Sequence, residues 1–80
     1  MRALRSPAAR AVATVLARAR EKRGLTQREL AARLKRRQSV IAMIETNQRQ
    51  VNVPEFLILA KTLEIDPIEL LKQVLREAGG

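Results

Sequence analysis

Three times within 80 residues the chain sets a capping side chain three positions ahead of a glutamate: Thr26 before Glu29, Asn52 before Glu55 and Asp66 before Glu69. In such a box the cap side chain accepts the glutamate N–H and the glutamate carboxylate reaches back to the cap N–H. Two of the donors that every helix start leaves open are then satisfied together. Pro54 and Pro67 follow their caps at early helical positions, where a missing N–H costs nothing. Ser6-Pro7 repeats the cap-then-proline order and marks another start. Stops are marked as well: Gly24 and Asn47 suit left-handed helix ends, and Lys35-Arg36-Arg37 is a polar break. The expected fold is all-α, with helices over about 7–23, 27–35, 38–45, 53–63 and 67–78. Val12, Val15, Leu16 and Ala19 recur at helical spacing, as do Leu30, Ala31 and Leu34, then Ile41 and Ile44, then Phe56, Leu59, Ala60 and Leu63. One small core is already marginal at this length, so residues 6–80 are expected to form a single domain behind a flexible basic tail of residues 1–5.

Composition narrows what such a domain does. With no Cys and no His, zinc fingers, thiol nucleophiles, Ser-His-Asp triads and His-ligated metals are excluded. The carboxylates are largely accounted for as caps or an ion pair, so the expectation is a non-enzyme that uses no metal and no cofactor. The net charge is +8. It is unevenly held: residues 1–50 carry 13 Lys/Arg against 3 Glu, and residues 51–80 carry 3 against 5 Asp/Glu. A basic front with a mildly acidic, apolar back suits a polyanion-binding face beside a packing face. Phe56 is the single aromatic, which argues against stacking of unpaired bases and leaves duplex phosphates as the polyanion. No apolar run approaches the roughly 20 residues of a membrane span. Arg2, Arg5 and Arg10 interrupt the start where a signal peptide would be continuously apolar. A cytoplasmic, nucleoid-associated location without membrane contact is expected.

The second and third helices, joined by a short turn, have the dimensions of a helix-turn-helix. Ala31 falls where the two helices approach and only a small side chain fits, and Ile41 and Ile44 fall on the buried side of the second. Gln38, Ser39, Ala42 and Met43 are left facing outward. A helix that enters the major groove needs small or polar groups at those N-terminal positions. The run Arg20-Glu21-Lys22-Arg23-Gly24-Leu25-Thr26-Gln27-Arg28-Glu29-Leu30-Ala31, followed by Ile41 to Glu45 and Phe56 to Leu63, resembles the Cro/CI-type (XRE-like) helix-turn-helix family. That family includes phage repressors and controller proteins of restriction-modification systems.

The resemblance implies a five-helix, lambda-repressor-like domain that binds a palindromic operator as a homodimer and regulates transcription, by repression or by promoter activation. It implies base reading by Gln38, Ser39, Ala42 and Met43, with Gln38 suited to adenine. Phosphate contact or support falls to Gln27, Arg28, Arg36, Arg37, Thr46 and Arg49. Arg20 and Glu45 match a structural ion pair. Four departures stand out: Lys35 where the turn usually has Gly, Arg37 in place of a Ser/Thr cap, Thr46-Asn47 in place of Arg-Gly, and Val51 in place of a frequent Pro.

Helices 4 and 5 carry more apolar residues than one core stripe requires. Ile58, Ile68, Leu71, Val74 and Leu75 are therefore expected to meet a second copy across a two-fold axis. Two alternatives accompany this reading. One is an antitoxin or antiactivator whose apolar C-terminal face binds a second protein, and the other is a sequence-neutral architectural DNA binder.

Overall fold

The computed structural model describes residues 6–79, so the tail assigned to residues 1–5 lies outside the described residues. Five helices follow one another: α1 Pro7–Lys22, α2 Gln27–Leu34, α3 Gln38–Glu45, α4 Val53–Thr62 and α5 Pro67–Glu77. Each expected helix is present with its boundaries within a residue or so. The described residues contain no strand, and none of their helices is long and apolar enough to cross a membrane.

The caps explain the starts. Ser6 Oγ accepts from the Ala9 N–H at 3.1 Å. Thr26 and Glu29 close a reciprocal box at 3.0 and 2.8 Å, and Asn52 and Glu55 close another at 2.8 and 3.2 Å. The third box is corrected: Asp66 accepts from the Ile68 N–H at 2.7 Å, and the Glu69 carboxylate turns outward to Lys72 at 3.6 Å. A reciprocal box at this site would set two carboxylates side by side, a repulsion that neutral Thr26 and Asn52 do not raise.

The stops share one geometry. After each of α1 to α4, one residue takes a left-handed conformation, and its own amide and the next one fold back onto the last turn. The residues are Gly24 (φ 78°), Lys35 (φ 55°), Asn47 (φ 60°) and Glu64 (φ 59°). At α2, Lys35 N–H donates to Ala32 O at 3.1 Å and Arg36 N–H to Ala31 O at 2.9 Å. These tight stops allow five helices in so short a chain.

The core is a single cluster. Val15, Leu16 and Ala19 of α1 meet Leu30, Ala31, Ile41, Ile44, Leu59, Ala60, Leu63, Leu70 and Val74, with Phe56 half-buried at its edge. Ala31 is buried where α2 packs against α3, as its size requires. Val74 corrects the expected dimer surface: it is 6% exposed and packs inside the monomer with Leu70, one turn away on the same stripe of α5. The outer stripe of that helix is Ile68, Leu71 and Leu75, all exposed.

A left-handed lysine is strained by its Cβ, a cost glycine avoids. Lys35→Gly is expected to raise stability by up to about 1 kcal/mol after the entropy lost by adding a glycine. Denaturant titration checks it, and a lower midpoint would mean that the lysine holds the turn by other means.

Candidate nucleic-acid interface

α3 begins without a side-chain cap, because Arg37 occupies the cap position and its side chain bonds no backbone amide there. Its guanidinium is thereby left to solvent. Gln38 and Ser39 follow on the first turn, both exposed, and Met43 is exposed a turn later, while Ala42 is half-buried beside them. Ile41 and Ile44 anchor the opposite side in the core. The four side chains expected to read bases thus share the outer side of one short, firmly packed helix.

Cations surround its entry. Among the described residues, Arg28, Lys35, Arg36 and Arg37 have no carboxylate within ion-pairing distance. Three other arginines are neutralised where they stand. Arg18 pairs with Glu77 at 3.1 Å, and Arg23 pairs with Glu64. Arg49 grips Glu55 through two N–H bonds of 3.2 and 2.6 Å. Arg49 therefore braces the α3–α4 loop onto the α4 cap, a partnership the sequence reading did not assign. Thr46 is likewise engaged locally, donating its hydroxyl to Ala42 O at 2.8 Å and accepting from Gln48 Nε2 at 2.8 Å.

Behind α3 lies the expected ion pair. Arg20 Nε donates to Glu45 Oε2 at 2.6 Å and Arg20 Nη2 to Oε1 at 3.0 Å, with side chains only 12% and 7% exposed. A third donation, from Arg20 Nη1 to Leu25 O at 2.7 Å, ties in the α1–α2 link. The hydrogen bonds that Arg20 donates to Glu45 are the main reason that it holds its proton more tightly than a free arginine. Gln27 joins this group by donating from Nε2 to Glu45 Oε1 at 2.9 Å. Its Oε1 accepts from Gln38 Nε2 at 3.3 Å. The contact between Gln27 and Glu45 was missed from sequence, although pairing Glu45 with Arg20 already brings it beside the start of α2. The described residues contain no group of acidic side chains able to hold a metal.

A helix-turn-helix family profile matches residues 16–70, the stretch that holds α2, α3 and the core around them. The chain belongs to the helix-turn-helix family, of XRE type. It is a DNA-binding protein of the transcription-regulator class. Among solved structures it is similar to an XRE-family like protein from Pseudomonas syringae pv. tomato str. DC3000. The two share 37% identity over 84% of this chain and 82% of that one, with a TM-score of 0.76. Two mutants of the restriction-modification controller protein C.Esp1396I share the fold at 23% and 24% identity. Each covers 94% of this chain and 100% of its own, with a TM-score of 0.86. No curated protein matches the chain.

The Glu55 carboxyl is held below the usual carboxylate range, chiefly by the Arg49 hydrogen bonds, and Glu29 is lowered chiefly by the Thr26 amide. Groups with lowered folded values contribute stability that is complete above the unfolded carboxylate range, near pH ~4, and is lost as pH falls through the folded values. Acid denaturation of Glu55→Gln is therefore expected to be less steep than that of the parent chain, from a lower plateau at neutral pH. Parallel acid limbs would show that Glu55 takes no part in the loss.

Proposed function

We propose that the protein is a homodimeric, sequence-specific regulator that sets α3 into the major groove of each half of a palindromic operator. The observation that carries this reading is the exposed row Gln38, Ser39 and Met43 beside three successive cations, Lys35, Arg36 and Arg37, that pair with no carboxylate among the described residues. Gln38 offers a donor and an acceptor side by side, the pattern that matches adenine N7 and N6. Ser39 adds a hydroxyl of weak selectivity, and Ala42 and Met43 add apolar contact for thymine methyl groups. Arg28, Arg36 and Arg37 supply phosphate contacts that set affinity without selecting sequence, with Gln27 at the start of α2 beside them.

Dimerisation draws support from the distribution of exposed apolar side chains. Apart from Met43, every large one among the described residues lies on α4 or α5: Val53, Leu57, Ile58, Ile68, Leu71 and Leu75. A monomer that keeps this much apolar surface in water is unusual. A two-fold axis through these helices sets the two recognition helices about one DNA turn, roughly 34 Å, apart. Occupancy across a promoter would exclude polymerase, so repression is the regulatory sign assigned to it.

Duplex binding against salt, measured beside sedimentation, tests the proposal. The chain is expected to sediment as a dimer at micromolar concentration and to lose affinity steeply with salt, with a slope of about −0.9 per phosphate neutralised. Ile58→Glu is expected to sediment as a monomer and to bind the same duplex more weakly. A flat salt response would remove the phosphate contacts, and a monomeric parent chain would remove the homodimer and favour a second protein on α4 and α5.

A further inference from the structure

We infer that Glu55 is an affinity-setting residue: its carboxylate withholds Arg49 from the duplex, so the chain binds DNA less tightly than its cations alone allow. The inference rests on the phosphate contacts proposed for the α2–α3 turn and extends that reading to the other end of α3.

The eight residues of α3 span about 12 Å, which is about the width of the major groove. A helix of that length seated in the groove brings the connections at both of its ends close to phosphate rows. Arg36 stands just before α3 and Arg49 just after it. Glu55, on the first turn of α4, faces both connections. It takes two N–H bonds from Arg49, at 3.2 and 2.6 Å. With Arg36 it borders a cavity of about 90 Å³ whose other walls are apolar, Leu34, Val40 and Ile58 among them. A negative charge is thus placed between the two basic ends of the helix proposed to meet DNA.

The hold on Arg49 is firmer than the one on Arg18. Arg18 and Glu77 meet at 3.1 Å with side chains 59% and 36% exposed, a pairing that water and salt screen. Arg49 and Glu55 meet through a two-bonded fork with side chains 32% and 18% exposed, and such charge-assisted forks are the strong ones. A phosphate that takes Arg49 from this carboxylate breaks both bonds and leaves Glu55 negative beside the DNA. One attractive contact is gained and one repulsive contact is created. Arg49 is therefore spent inside the protein, and the counterions released on binding are those displaced by cations without such a partner. The start of α4 does not depend on the charge. A glutamine at the same place in a capping box also serves the cap N–H, here that of Asn52, so the cap survives when the carboxylate is removed.

Glu55→Gln, checked for native helicity, tests this by titration across a range of salt against a duplex that the parent chain binds. Arg49 then becomes available to one phosphate. The log–log slope is expected to steepen by about 0.9, and affinity at low salt to rise by about threefold or more. The double variant Glu55→Gln, Arg49→Gln is expected to return the slope to that of the parent. A Glu55→Gln slope equal to or shallower than the parent's overturns the inference, and so does a steepened slope that survives in the double variant. If Glu55→Gln does not fold, Arg49→Lys decides. An ammonium lacks the planar fork that grips the carboxylate, so this variant is also expected to steepen the slope, and an unchanged slope overturns the inference. A parent chain whose affinity is flat against salt removes the phosphate contacts and this inference together, whereas a steep parent slope with unmoved variants removes this inference alone.

Discussion

The ion pair between Arg20 and Glu45 is the interaction on which the placement of α3 depends. It joins the last turn of α1 to the last residue of α3, and through Leu25 and Gln27 it also holds the entry to α2. Three helices that meet at one nearly buried charge pair cannot shift relative to one another without breaking it. Removing one partner of such a pair costs about 3–5 kcal/mol, because the other charge is left uncompensated in a poorly solvated site. A chain of this size is stable by only about 4–12 kcal/mol in total. The apolar core makes the domain fold, and the pair fixes how α3 sits once it has folded.

The same contrast between paired and unpaired charge accounts for the uneven distribution along the sequence. Arg18, Arg23 and Arg49 are each neutralised by a glutamate from another element, Glu77, Glu64 and Glu55. All three glutamates belong to the acidic part of the chain, residues 51–80, and Glu55 is also the partner of Asn52 in the α4 capping box. The acidic end thus folds back over three of the arginines. Lys35, Arg36 and Arg37 are left without such partners among the described residues. Pairing cancels part of the charge, although Lys22, Arg33, Lys61 and Arg76 also have no carboxylate within ion-pairing distance among the described residues.

Helix starts were legible because a cap is a local device: Ser6, Thr26 and Asn52 each act on residues within three positions. Asp66 shows the limit, since the same spacing gave a different bond once both side chains carried negative charge. Gly24 and Asn47 announced left-handed ends through their own chemistry. Glu64, equally left-handed at φ 59°, has no such preference and is held there by the packing of Leu63 and Ile65 on either side, so nothing in its identity signalled the turn. Val74 was misplaced for a related reason. Helix 5 is apolar on two stripes, and only the docked position of α1 decides that Leu70 and Val74 face inward while Leu71 and Leu75 do not. The outward placement of Gln38, Ser39 and Met43 was legible from spacing, whereas the Gln27–Glu45 contact joins residues 18 positions apart and appears only when the helices pack.

The account turns on whether α3 reads sequence from a two-fold related pair. Selection of duplexes from a random pool by the purified chain, followed by sequencing, measures this directly. The account predicts enrichment of an inverted repeat whose half-sites are centred about one helical turn apart, with an adenine at one fixed position in each half. Enrichment of no common sequence, with tight binding retained, would contradict it and identify a DNA binder that reads only the backbone.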